Sequence, residues 1–209
     1  MESVDRVTNR VHIFGTGGFA KETYTMCHRV GLYPIDFVDM YNVGYKIYDL
    51  TTIHDSWVDY SVGSIVAIGD PNIRYKICQK IVEVGGKFET VIDPTVTFTS
   101  PGTFFIGAGP VICPGVIITT DVIIGEQCHI NMGAIVAHDV TIGDYTTISP
   151  SVTICGNVTI GKKCFIGAGA SIRERINICD NVIIGMGAVV VGDITEPGVY
   201  VGCPARRIK

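Results

Sequence analysis

The chain has 209 residues, 47% hydrophobic and only 17% charged, with a net charge of −4. That composition excludes a disordered chain and leaves room for one large domain or two small ones. No basic stripe accompanies it, which argues against a nucleic-acid partner, and no apolar run reaches the roughly 20 residues that span a bilayer.

The opening residues MESVDRVTNRVHIF carry acids and lack the apolar centre of a secretion signal. With eight cysteines and no CxxC pair, the thiols read as reduced, small apolar residues, and a cytoplasmic protein is expected. Val11–Phe14 reads as an apolar strand entering Gly15-Thr16-Gly17-Gly18-Phe19-Ala20, with a helix following to about Val30. Ile35–Val38 reads as a second strand, ending in Asp39-Met40, and Ser64–Ile68 as a third, followed by Gly69-Asp70-Pro71 and a helix to about Val84. Asp70 suits an N-cap and Pro71 the first helical position. Alternating strands and helices imply a small parallel α/β sheet over residues 1–90. The glycine loop fits G-x-G-x-x-A, and Asp39 stands where a ribose-binding acid is expected. The domain is half of a dinucleotide fold, which suits a mononucleotide or nucleotide-sugar; a tight strand-to-helix turn is the structural alternative.

Residues 91–209 differ in texture. From Ile106 to Val190 fifteen aliphatic residues recur every six positions without a break, among them Ile118, Ile130, Ile148 and Ile166. Four residues after each stands a second apolar or small residue, and the next residue is often glycine, as at Gly125, Gly143 and Gly161. Neither a helical period nor simple alternation gives six. Short extended segments joined by tight turns do, three of them closing a triangular coil of 18 residues. The expected fold is a left-handed parallel β-helix of hexapeptide repeats, five coils stacked at about 4.8 Å. Residues 18 apart then stack directly. Cys128 and Cys164 fall two coils apart, too far for a disulfide. Thr141, Thr147, Thr153 and Thr159 fall on successive sides, so no flat threonine face of the ice-binding kind forms.

Of five histidines, His12 and His28 read as structural and His54 carries no assignment. His138 falls in an outward turn, with Asp139 beside it to orient the ring and support its charged form. Its column is Thr120, His138, Gly156 and Glu174, and Gly156 is expected to leave a channel beside the imidazole. His129 is expected to face outward between Val111 and Thr147. Two histidines half a coil apart do not converge on a metal, so no metal is expected.

The segments VHIFGTGGFAKE, AIGDPNIR, AHDVTIGDYTTISP, CGNVTIGKKCFIGAGA and GVYVGCPARRIK, in this order, resemble the hexapeptide-repeat sugar acyltransferases of the sialic-acid O-acetyltransferase and UDP-N-acetylbacillosamine N-acetyltransferase type. The resemblance spans nearly the whole chain. It implies a homotrimer with acetyl-CoA in the groove between neighbouring β-helices and a nucleotide-linked amino sugar on the N-terminal domain. It implies a general base at His138 and its orienting carboxylate at Asp139, aspartate where some relatives have glutamate. Substrate contacts are implied at Gly17, Gly18, Phe19, Asp39, Met40 and Gly69, and acetyl-CoA contacts at Thr147, Gly156, Ala168 and Met186. Some relatives have histidine in place of Thr147 and glycine in place of Met186. Arg206, Arg207 and Lys209 suit either CoA phosphates or a solvated basic end. The expected activity is N-acetylation of the 4-amino group of a nucleotide-linked 4-amino-4,6-dideoxysugar. O-acetylation of a sugar such as sialic acid and a non-catalytic nucleotide-binding trimer are the alternatives.

Overall fold

The computed structural model describes residues 9–100 and 104–209; part of the acidic opening stretch and Pro101–Thr103 lie outside the described residues. The chain divides into two compact units, one of residues up to 69 with 73–91, the other of residues 92–209 with 70–72.

In the first unit, strand β1 (Arg10–Phe14) runs into helix α1 (Gly18–Arg29), then β2 (Tyr33–Val38), β3 (Lys46–Ile47), β4 (Leu50–Ile53), β5 (Gly63–Val66) and helix α2 (Pro71–Glu83). The sheet order is β3-β4-β2-β1-β5, with β1 parallel to both β2 and β5. Val11, Ile13 and Phe14 are all buried, as befits a central parallel strand covered on both faces. On α1, Ala20, Thr23, Met26 and Cys27 form the buried stripe. The helix stops where Gly31 turns left-handed (φ 77°) and Leu32 N–H returns to the Cys27 carbonyl at 2.9 Å, a Schellman closure. Asp70 caps α2, its Oδ1 accepting from Asn72 N–H at 2.8 Å. The sequence reading omitted the antiparallel β3–β4 pair, whose turn holds Tyr48 at φ 56°.

The second unit is a parallel β-solenoid whose three sheets are ladders of mostly two-residue strands, consistent with the left-handed hexapeptide helix. Pairs such as Ile130↔Ile148, Ile135↔Thr153 and Thr141↔Thr159 confirm the 18-residue stacking. The inward positions make one continuous core, from Ile112 through Ile130, Ile148 and Ile166 to Val190. Corners are made by one left-handed residue in every six from Gly109 to Gly187, including Asp121, Asp139, Asn157 and Asn181. Asn and Asp accept this conformation more readily than other side chains. The glycines after the aliphatic residue are required by stacking: a Cβ at Gly143 would lie 2.6 Å from the Gly161 carbonyl carbon.

The solenoid is longer than the unbroken repeat. It begins at Val91–Ile92 and Thr97–Phe98, where Thr97 pairs with Ile117, twenty residues on. Two extra residues between Phe98 and Phe104 shift the sequence period and hide this coil. At the other end Ile178 bridges Ile194, only sixteen residues on, and Val182 pairs with Gly198. The tail strands Gly198–Val201 and Arg206–Arg207 then pair antiparallel and finish the sheet.

Candidate active site

His138 occupies a solenoid corner fixed by its own backbone: Asp139 N–H donates to the Thr120 carbonyl (3.0 Å) and Asn157 N–H to the His138 carbonyl (2.9 Å). Asp139 is the left-handed residue of that corner, at φ 58°. The geometry brings its Oδ2 to 2.7 Å from His138 Nδ1. A carboxylate only accepts, so Nδ1 carries the proton of this contact, and in the neutral ring the lone pair then falls on Nε2. Both side chains are about half exposed, 55% for His138 and 50% for Asp139. The pair can therefore accept a proton at Nε2 and hold the resulting charge.

Gly156 does not leave the expected channel. A Cβ placed there would meet the imidazole itself, 2.5 Å from Nε2 and 3.0 Å from Nδ1, so the ring fills the space that the missing side chain vacates. The glycine is a seat for the histidine. His129 stacks between Val111 and Thr147 on the side of the strand away from the solenoid core, as expected, but all three are buried, so this ladder is covered rather than open to solvent. No group of three or more His, Cys, Asp or Glu side chains able to hold a metal occurs among the described residues.

The remaining implied cofactor positions do not converge on His138 within one chain. Thr147 is buried on the ladder with His129 and Phe165. Ala168 and Met186 stack on a different corner, linked by the Gly187 N–H to Ala168 carbonyl bond of 2.9 Å, and Met186 is 81% exposed. Gly156 alone touches the histidine.

The α/β unit holds a cleft of about 470 Å³ at the carboxyl ends of its strands, where open parallel sheets receive ligands. Its walls are apolar, including Phe14, Val38, Ile68, Ile77 and Ile81, and Lys76 and Lys80 of α2 add positive charge. Of the implied substrate contacts, Asp39 and Met40 line this cleft; Gly17, Gly18, Phe19 and Gly69 do not. Gly17 and Gly18 are exposed at the start of α1, with no atom near enough to crowd an added Cβ. Gly69 belongs to a loop held by the fully buried Arg74, whose Nη1 donates to the carbonyls of Ile68 (2.6 Å) and Gly69 (3.2 Å).

Asp39 is a strongly held carboxylate. Burial alone would raise its pKa, but hydrogen bonds from Thr16, Tyr41 N–H, Asn42 N–H and the Asn42 amide outweigh that and hold it at about 2. Sequence reasoning did not single out Arg74, Tyr41, Asp55, Lys76 or Lys80. AIGDPNIR contains Arg74, but the others sit in segments without a period to flag them. His12, His28 and His54 are structural, as expected for the first two. His12 bonds Asp36 Oδ1 at 2.7 Å, His28 meets the Tyr24 ring edge-on at 4.7 Å, and His54 accepts from Ser56 N–H to start a short 3-10 turn.

Residues 121–156 and 157–192 match the bacterial transferase hexapeptide family, and residues 10–81 match the PglD N-terminal domain. A GDP-perosamine N-acetyltransferase of Escherichia coli is 31% identical over 150 residues, which span 66% of each chain. The perosamine N-acetyltransferase of Caulobacter crescentus, solved with CoA and GDP-perosamine, superposes with a TM-score of 0.88 at 29% identity, covering 95% of this chain and 97% of that one. WeeI from Acinetobacter baumannii gives 0.87 at 26% identity, over 95% and 99% of the two chains. These solved structures share the fold over 95% of this chain, and with both family matches in place the chain belongs to the hexapeptide-repeat sugar acyltransferases.

Proposed function

We propose that the protein is an acetyl-CoA-dependent N-acetyltransferase acting on the 4-amino group of a nucleotide-linked 4-amino-4,6-dideoxysugar. The observation that carries this reading is the His138–Asp139 pair, with a free Nε2 lone pair on a ring seated against Gly156. The relatives acting on or binding GDP-perosamine support the sugar class. The amine attacks the thioester carbonyl, and His138 Nε2 takes the proton that the nitrogen loses. Asp139 steadies the imidazolium, which returns the proton to the departing CoA sulfur as the C–S bond breaks. The sugar nucleotide is held by the α/β unit, with Asp39 and Met40 at its cleft.

A homotrimer is part of this proposal. His138 with Gly156 and Ala168 with Met186 occupy different corners of one prism, so a groove using all four needs a second copy. We place the reaction in the cytoplasm, where acetyl-CoA is available and free thiols persist.

The test is thiol release from acetyl-CoA across a panel of GDP-, UDP- and dTDP-linked 4-amino sugars, with His138→Ala beside the parent. A loss of about 10²- to 10⁴-fold in kcat is expected for removal of a general base. Unchanged turnover in the variant would remove His138 from the mechanism.

A further inference from the structure

The cleft of the α/β unit contains two carboxylates, and they differ in what they have left to offer. Asp39 is saturated: Oδ1 accepts from Tyr41 N–H (2.8 Å) and Asn42 N–H (3.0 Å), Oδ2 from Thr16 Oγ1 (2.5 Å) and Asn42 Nδ2 (3.2 Å). An ionised carboxylate has about four acceptor sites, and all four are in use. Asp39 therefore shapes the rim of the cleft and has nothing free for a ribose hydroxyl or a base. Asp55 lines the same cleft from the turn after β4. Neither of its side-chain oxygens accepts a hydrogen bond among the described residues. His54 Nδ1 lies 3.0 Å from Oδ1, but that nitrogen accepts from Ser56 N–H and so has no proton to give the carboxylate. Asp55 thus brings an available acceptor to a largely apolar cleft whose other charged groups are Asp39, Lys76 and Lys80.

The loop that Asp39 holds also presents Tyr41. Its ring is 89% exposed at the edge of the cleft, although its backbone N–H is fixed. A pinned backbone carrying a bare aromatic face is a platform for a flat ring. The strand order puts the turn after β4, which bears Asp55, next to the end of β2, which bears Asp39 and Tyr41. The glycine loop after β1 lies on the far side of β2.

We propose that this side of the cleft is a guanine seat, with Tyr41 stacking on the base and Asp55 reading its edge. This rests on the nucleotide-sugar reading above and extends it to the base. Guanine presents two adjacent donors, N1–H and the N2 amino group, which one carboxylate accepts together. Uracil and thymine present a single N–H flanked by two carbonyl oxygens, which a carboxylate repels. Adenine presents one amino group beside a lone pair. Only guanine matches a free carboxylate with two donors.

The experiment is isothermal titration calorimetry of the full chain with GDP, IDP, UDP and dTDP. GDP is expected to bind at least tenfold more tightly than UDP or dTDP, and IDP, which lacks only the N2 amino group, about tenfold more weakly than GDP. Asp55→Asn is expected to erase the preference for GDP over UDP, and Tyr41→Ala to weaken every nucleotide about tenfold. Equal binding of GDP, IDP and UDP by the unaltered protein overturns the base assignment while leaving the nucleotide-sugar reading intact. A GDP-to-UDP ratio unchanged by Asp55→Asn overturns the role of that residue, and no binding of any nucleotide overturns both readings.

Discussion

Gly156→Ala separates the chemistry of the solenoid from its architecture. The three nearest neighbours of the added methyl are all atoms of the His138 ring, with Nε2 at 2.5 Å and Nδ1 at 3.0 Å, and none is a backbone atom. Ordinary carbon contacts begin near 3.5 Å, so the ring must retreat by about 1 Å. His138 is 55% exposed and free to swing outward, so the fold accommodates the change and stability moves by less than about 1 kcal/mol. The 2.7 Å bond to Asp139 cannot survive that swing unchanged. A misplacement of about 1 Å at a reacting group lowers turnover by about 10²-fold. Gly143→Ala is the opposite case, because its Cβ would strike the Gly161 backbone, 2.6 Å from the carbonyl carbon. It should destabilise by about 1–3 kcal/mol while leaving the His138 corner in place. Thiol-release kinetics and thermal denaturation measure both effects. In the double variant Gly156→Ala/His138→Ala, no loss beyond that of His138→Ala is expected, since both changes disable one group. A Gly156→Ala variant that keeps kcat within threefold of the parent, or whose loss multiplies with that of His138→Ala, would show that Gly156 does not seat the catalytic ring.

Other consequences are open to direct measurement. Asp139→Asn keeps a residue that tolerates the left-handed corner, so the melting temperature should hardly change while kcat falls by about ten- to a hundredfold; a matched fall in stability would mean that the carboxylate serves the turn. Asp39 is ionised down to about pH 2 in the fold but only to about 3.8 when unperturbed, so its contribution is present above pH 3.8 and lost as the pH falls toward 2. Denaturant midpoints of the parent should therefore drop more steeply between pH 4 and pH 2 than those of Asp39→Asn, and parallel slopes would contradict this. Ile148 is fully buried in the middle of the solenoid core, so Ile148→Ala should cost about 2–5 kcal/mol in urea unfolding, whereas a cost below 1 kcal/mol would mean that the column collapses onto the cavity.

The repeat was legible because a six-residue spacing is a direct image of the coil: each inward Ile or Val occupies one wall, and each stacking glycine avoids the backbone of the next coil. The His138–Asp139 pair was legible for the same reason, since the register placed it on an outward turn and identified Gly156 as its neighbour. What Gly156 does was not legible. An empty position in a column does not say whether the space stays open or a neighbouring ring lies in it. The first coil escaped notice because two extra residues before Phe104 break the period, and the last because two fewer separate Ile178 from its partner Ile194. The burial of His129 depends on what covers its ladder, which no 18-residue register encodes. In the α/β unit the strands and helices followed from apolar runs and caps. The cleft did not, because Tyr41, Asp55, Lys76 and Lys80 come from separate segments and meet only through sheet order. Asp39 was found by its spacing from the glycine loop, but its saturated carboxylate became visible only with Thr16 and Asn42 in place.

The two offsets at the ends of the solenoid bear on a hazard of its construction. A column of identical rungs that kept its 18-residue pitch to the last strand would offer a top and a bottom that fit each other, and copies would stack end on into fibres. Here the lowest rung is two residues long and the uppermost two residues short, and the antiparallel tail lies along the final ladder. The ends are mismatched by sequence, so the open hydrogen-bonding edges of a strongly periodic chain find no continuing register in a second copy. Deleting the two-residue excess before Phe104, inserting two residues between Ile178 and Ile194 and removing the tail after Val201 would restore the matching ends, and light scattering would report the resulting filaments.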